Sequence, residues 1–432
     1  VTHDVADTTT HPRLCTATLR VADTPPYERG GPAAIVHLGV GAFARAHLGG
    51  YADTLLRGGH DALIRGVSLR SPAAQRQLGP QDGLYTVTER EPSGDGAPRV
   101  HGAIASVGTG PAAAAEAIAA PSTTMVTLTV TEKGYAVDEA PAVLAAGLAA
   151  RDRSVLPPVI ASLDNLADNG VLLRRRVLAA AGRIDTALAR WIEHEVRFPC
   201  SVVDRMVPAT TTADLDLVAA RLGRRDDAAV IAEHHCSWTL ERVPGLLPLH
   251  AAGVELVDDI GPHQRRKLWL LNLPHSALAY AGLLAGCDTI AQAAEHPDVE
   301  PFVAALVEDV LEVCDVPDAR AYAGDTLRRF RNPSLGHTCV QVGADGSQKL
   351  PQRLLPVVEA RRERGLDVGR GALVAALWSA AVNEVPLAGR TLPMVQDPTT
   401  TLVDASPEFD ARVASARRDL ERRGLAALVA AS

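Results

Sequence analysis

The stretch Ala33-Ala34-Ile35-Val36-His37-Leu38-Gly39-Val40-Gly41-Ala42-Phe43-Ala44-Arg45-Ala46-His47 runs from a short β-branched apolar segment through two glycines into a helical pattern that continues to Leu56. This order predicts strand, tight turn, helix. In such a unit the glycines let the backbone approach a phosphate, and the first amides of the helix offer N–H donors to its charge. Gly39, Gly41, Ala42, Phe43 and Arg45 are therefore candidate cofactor-binding residues. Position 44 is alanine, where the usual fingerprint carries its third glycine, and a purely structural turn is the alternative.

Working outward, Ala62 to Leu69 predicts the next strand. Its end usually carries an acid for the ribose hydroxyls. Here it closes with Ser68-Leu69-Arg70-Ser71, which leaves both NAD and NADP open. An alanine-rich helix over Pro111 to Ala120 separates this strand from two more, Met125 to Thr131 and Val159 to Leu163. Strands alternating with helices imply a parallel sheet, with ligands at the carboxyl ends of the strands. That rule singles out Glu132 and Lys133 after one strand, and Asn165 in the segment Asp164 to Gly170 after another. An Asx turn or helix cap describes Asn165 equally well. Further extended runs are expected at Thr86 to Glu89, Ser201 to Pro208 and Val230 to Trp238. After about Asp259 the pattern becomes helical, over Ser276–Ala285, Pro301–Glu312, Ala319–Arg329, Leu350–Arg364, Ala372–Ala381 and Asp410–Leu428. Phe330 to Pro333 and Asp345 to Arg353 read as polar loops between them. The expected fold is α/β: an irregular arm over residues 1–31, a Rossmann-type dinucleotide-binding domain over 32–259, and a mainly α-helical substrate domain over 260–432.

Composition narrows the function. A chain of 432 residues exceeds one ordinary core and suggests two domains with a cleft. A net charge of −8 with interspersed arginines argues against nucleic acid as a partner. The six cysteines are scattered, with no pair at metal-ligand spacing, and read as reduced buried thiols of a cytoplasmic protein. His234-His235-Cys236 is too local to complete a coordination shell, so no metal is expected. No apolar run of membrane-spanning length is free of charges or prolines, and no membrane role is expected.

The stretch Lys267-Leu-Trp-Leu-Leu-Asn272-Leu-Pro-His275 sets a basic, an amide and an imidazole side chain within an apolar run. On an ideal helix the three fall within an arc of roughly 140°. A lysine walled by leucines and tryptophan loses solvation for its charged form and becomes a candidate general base near neutral pH. Asn272 could then offer its amide to a carbonyl oxygen or alkoxide. On local grounds the favoured reading is plainer: a snorkelling lysine, a capping asparagine and a satisfied core histidine. Pro274 would kink the helix or mark its first turn.

The segments Gly39–His47, Gln81–Tyr85, Thr131–Tyr135, Asp164–Gly170, Val203–Pro208, Lys267–His275 and Asp345–Lys349, in this order over most of the chain, resemble the mannitol dehydrogenase family of polyol-specific long-chain dehydrogenases. The resemblance implies zinc-independent hydride transfer between a polyol or sugar acid and NAD or NADP, with NAD favoured. It implies Lys267 as general base, Asn165 and Asn272 on the developing alkoxide, His275 orienting a hydroxyl, and Lys349 on a more distant one. The loop Asn332 to Thr338, with His337, resembles that of mannitol enzymes, whereas Asp345 to Arg353 resembles that of uronate reductases, with Arg353 as a cation for a carboxylate. A sugar alcohol and its ketose, mannitol and fructose in type, are the expected substrates. A hexuronate pair, fructuronate with mannonate or tagaturonate with altronate, is the alternative. Members are often monomeric, which implies a monomer or weak oligomer.

Overall fold

The computed structural model describes residues 11–130, 138–382, 397, 399, 402 and 405–429. The chain forms two compact units, Val1–Ile260 and Gly261–Ser432.

The first unit is built on five parallel strands: β1 Ile35–Leu38, β2 Ile64–Ser68, β3 Ile104–Thr109, β4 Met125–Leu128 and β5 Val159–Ser162. Their order across the sheet is β3-β2-β1-β4-β5. The direction of winding reverses between β1 and β4, where α/β sheets open a crevice for ligands. β1, β4 and β5 are buried along their whole length because both sheet faces are covered. Alternate residues feed opposite cores. Ile35, Met125 and Ala161 join one core with Leu55 and Trp238, while Val36, Val126 and Ile160 join the other with Leu144 and Val177.

Two smaller sheets complete this unit. Tyr85–Glu91 pairs parallel with Val230–Glu233 and antiparallel with Arg99–His101 and Gly94–Asp95. Ser201–Asp204 pairs antiparallel with Ser237–Glu241, which pairs parallel with Glu255–Val257. The single extended run expected over Val230 to Trp238 is thus two strands in different sheets. Arg205 ends the first by donating from Nε and Nη2 to the Glu233 carbonyl, at 3.1 and 3.0 Å. The described part of the expected arm, residues 11–31, is also tied down. Leu14 is fully buried with Leu84, Val100 and Leu222, and its N–H donates to the Arg225 carbonyl at 2.8 Å.

The second unit is helical. Its central helix runs over Gly261–Ala285 and packs against the helices Glu300–Leu311, Gly346–Arg353 and Gly369–Val382. It is long and apolar enough to cross a membrane, but 78% of its apolar window is buried within the fold. Two expectations are corrected here. Asp345 to Arg353 is a helix from Gly346, not a loop, because Asp397 caps it: the Asp397 carboxylate accepts from the Ser347 N–H at 2.8 Å and from the Ser347 hydroxyl. The helix expected over Leu350 to Arg364 is two, Gly346–Arg353 and Leu355–Glu363, because Pro356 has no N–H with which to continue the ladder.

Candidate active site

The turn after β1 is built for close backbone approach. Gly39 has φ 99°, and a Cβ there would overlap the Thr129 carbonyl oxygen, so only glycine fits against the end of β4. His37 holds this peptide. Its Nε2 lies 3.0 Å from the Gly39 carbonyl, which can only accept, so Nε2 carries the proton, and Nδ1 accepts from the Thr127 hydroxyl at 2.8 Å. Burial pulls the His37 pKa down to about 4, and the ring is neutral. Gly41, by contrast, is exposed, and a Cβ there would meet nothing within 4 Å. It caps the helix Ala42–Ala46. The open space and the amides beyond it fit a phosphate-bearing group.

The other candidates of this turn are not alike. Ala42 and Phe43 are half-buried, and Phe43 stacks on the buried ring of His47 at 5.0 Å. Arg45 is buried, with Nη1 3.4 Å from Gln77 Oε1, and burial lowers its pKa. Arg70, at the end of β2, is held by Glu139 at 2.5 Å. Glu132 and Lys133 lie outside the described residues.

Asn165 is exposed on the loop that leaves β5, and Asp164 beside it is buried. The loop ends at the helix Asn169–Ile184, whose first residue is fully buried. Gly170 brings that helix start against residues 198–200: a Cβ there would lie 2.7 Å from the Cys200 nitrogen.

In the helical unit, Lys267, Asn272 and His275 sit on the central helix, but not on a regular α-helix. Leu268–Asn272 is a π turn, in which the Leu273 N–H donates to the Leu268 carbonyl, five residues back. Pro274, in the first turn of Leu273–Ala285, explains it. In an α-helix its N–H would serve the carbonyl of Leu270, and proline has none to give. Closure over five residues brings positions five apart nearer to one side than a regular α-helix does, which favours a shared face for Lys267, Asn272 and, three residues on, His275. The Asn272 carbonyl accepts from Arg353 Nη1 at 3.3 Å, and the same Nη1 donates to Ser276 Oγ at 2.9 Å. Arg353 thus clamps the turn from the helix Gly346–Arg353.

His275 stacks on Phe330 at 4.8 Å and lies 6.1 Å from the His337 ring. Its Nε2 is buried with no hydrogen-bond partner among the described residues. Burial, then the charges of His337, Arg353, Lys349 and Arg329, hold its pKa well below the ordinary imidazole value. It is neutral and can donate or accept. Lys349 Nζ donates to the carbonyls of Val342 and Ala344, at 3.3 and 2.5 Å.

The parts played by His37, Asn169, Ser201 and Asp397, and the π turn, were not legible in the sequence. Only Pro274, inside an apolar helical pattern, signalled any of these. Of the cysteines, Cys15 and Cys236 are part-exposed, not buried. His234 and His235 pair with different carboxylates, Glu89 at 2.8 Å and Asp204 at 3.3 Å. Among the described residues no group of three or more His, Cys, Asp or Glu could hold a metal ion.

Residues 33–247 match the mannitol dehydrogenase Rossmann domain, and residues 259–421 match the mannitol dehydrogenase C-terminal domain. The chain is 34% identical to D-mannonate oxidoreductase of Escherichia coli (strain K12) over 404 residues, covering 84% of this chain and 82% of that one. It is 34% identical to mannitol 2-dehydrogenase of Pyrenophora tritici-repentis (strain Pt-1C-BFP) over 428 residues, 88% of this chain and 75% of that one. The ternary complex of Pseudomonas fluorescens mannitol 2-dehydrogenase with NAD and D-mannitol superposes with a TM-score of 0.83 at 28% identity, over 94% of this chain and 96% of that one. The Rossmann order of the sheet, the helical second unit and these matches over nearly the whole chain lead to one conclusion: the protein belongs to the mannitol dehydrogenase family of oxidoreductases.

Proposed function

We propose that the protein interconverts a sugar alcohol and its ketose, mannitol and fructose in type, with Lys267 as general base. Residues 32–259 serve the dinucleotide and residues 260–432 the substrate, after an N-terminal stretch of residues 1–31. When bound, the dinucleotide supplies the hydride acceptor or donor. Lys267 takes the hydroxyl proton as the carbon is oxidised and returns it on reduction. Asn272 and Asn165 donate amide hydrogens to the oxygen as it gains charge, a contribution of about 3 kcal/mol per well-placed donor in comparable sites. His275, through Nε2, orients a neighbouring hydroxyl, and Lys349 and His337 stand near it for the rest of the chain of hydroxyls.

The observation that carries this reading is the π turn. A turn closed over five residues favours one face of a mostly buried helix for a basic, an amide and an imidazole group, and among the described residues His275 Nε2 is buried with no hydrogen-bond partner. NAD is the proposed cofactor, because Arg70, a cation at the end of β2, is paired with Glu139, and the similar Pseudomonas fluorescens structure holds NAD. Glu132 and Lys133 are kept as candidate cofactor residues, as are Gly39, Gly41, Ala42 and Phe43.

One observation favours a second reading, a hexuronate reductase. Arg353, Lys349, Arg329 and His337 all bear electrostatically on His275, and such a field suits a carboxylate. Against it, Arg353 is engaged with the Asn272 carbonyl and Ser276. Nicotinamide absorbance with D-fructose and D-fructuronate, each with NADH and NADPH, separates the readings. Turnover of fructose with NADH is expected; turnover of fructuronate alone would make the sugar acid the substrate.

A further inference from the structure

We infer that Asn169 is a positioning residue that holds Asn165 in place for the substrate oxygen, an inference that rests on the role given to Asn165 above. Asn169 is fully buried. Its Nδ2 lies 3.1 Å from the Asp164 carbonyl, 3.1 Å from the Ser201 carbonyl and 3.3 Å from the Ser162 carbonyl. Its Oδ1 accepts from the Ser201 N–H at 3.0 Å. One amide therefore ties the end of β5 to the start of the strand Ser201–Asp204.

The surrounding bonds close the same frame. The Ser201 hydroxyl donates to the Ser162 carbonyl at 2.5 Å, and the Asp164 N–H donates to Ser162 Oγ at 3.1 Å. The Val130 N–H reaches Asp164 Oδ2 at 3.3 Å, which joins β4's end to the loop as well. The peptide that precedes Asn165 is thus fixed from two neighbouring strands, while Asn165 itself is exposed.

Helix initiation alone does not call for this arrangement. A capping side chain bonds forward, to amides two or three residues on. The amide of Asn169 turns backward into the loop, and Asp168, at the cap position, makes no such bond. Six loop residues separate β5 from the helix, enough to let Asn165 wander if they were unpinned. A donor that must meet an oxygen only as charge develops gains most from being fixed beforehand. Loss of the frame therefore lowers the chemical rate more than it weakens substrate binding.

The test uses the full chain with Asn165→Ala, Asn169→Ala, Ser201→Ala and the double variant Asn165→Ala/Asn169→Ala. The readouts are kcat and KM for whichever of D-fructose or D-fructuronate the unaltered enzyme reduces. Asn169→Ala should lower kcat about 10- to 100-fold with KM changed less than about threefold. In the Asn165→Ala background the same substitution should lower kcat by less than about twofold more, because its effect passes through Asn165. A purely structural role predicts losses that multiply. Multiplying losses, or an Asn169→Ala enzyme of unaltered kcat, would overturn the inference. If Asn169→Ala does not fold, Ser201→Ala, alone and with Asn165→Ala, decides by the same criterion with a smaller loss. Asn165→Ala of unaltered kcat would instead overturn the role of Asn165.

Discussion

Gly39 and Gly41 stand two residues apart and answer to different forces. At Gly39 the left-handed backbone and the Thr129 carbonyl exclude any side chain, whereas the space beside Gly41 is open. Gly41→Ala should therefore leave unfolding by urea within about 0.5 kcal/mol of the parent, yet weaken NADH binding about tenfold or more by crowding the phosphate. Gly39→Ala should lose stability first. A Gly41→Ala protein that binds NADH normally would remove the dinucleotide from this turn. The buried histidines set a second expectation. His37 and His101 are each lowered to about 4, with burial the largest cause. Both folded-state values lie below the unfolded value near 6.5, so the folded form favours neutral rings. Their contribution is complete above about pH 6.5 and falls away toward pH 4, with about 2 kcal/mol lost per histidine near pH 5. Urea midpoints measured near pH 7 and near pH 5 check this, and a flat profile would contradict it.

The elements show which parts of the fold were legible and which were not. β1, β4 and β5 could be read directly, because strands buried on both faces are apolar at successive positions, as Ile35 and Val36 are. The helix Gly346–Arg353 is not legible locally because its cap, Asp397, lies 50 residues from Ser347, and no local pattern announces such a partner. The break between Val230–Glu233 and Ser237–Glu241 is not legible locally because Arg205, which bonds the Glu233 carbonyl, acts from another segment. In the helix Gly261–Ala285 the three polar residues were legible but the local geometry was not: an ideal α-helix spreads Lys267 from Asn272, and a π turn brings positions five apart nearer to one side. Pro274→Ala tests this element. A restored N–H allows a regular α-helix, so stability should hold or rise by about 1 kcal/mol, while kcat should fall about 100-fold as Asn272 rotates away from Lys267. Unchanged kcat would mean that the π turn plays no part in the chemistry.

Across the whole molecule, the family was legible because short chemical segments recur in a fixed order along both units, and the two family domains match residues 33–247 and 259–421. The substrate was less so, since on the proposed reading it turns on how Arg353 and Lys349 are engaged. Arg353 read in isolation is a cation for a carboxylate; in the fold it braces the Asn272 carbonyl. Arg353→Gln should therefore lower kcat for fructose by loosening the π turn, in contrast to a selective rise in KM for fructuronate if it served a carboxylate. The central claim, that Lys267 is the proton acceptor of a nicotinamide-linked alcohol oxidation, is tested most directly by the pH profile of kcat/KM for D-mannitol with NAD, in the unaltered enzyme and in Lys267→Ala. The account predicts a rate that rises with pH through one ionisation in the unaltered enzyme. In Lys267→Ala it predicts a rate lower by about 100- to 10,000-fold that no longer follows that ionisation, with NADH binding retained. A Lys267→Ala enzyme that keeps both its rate and its pH profile would contradict it.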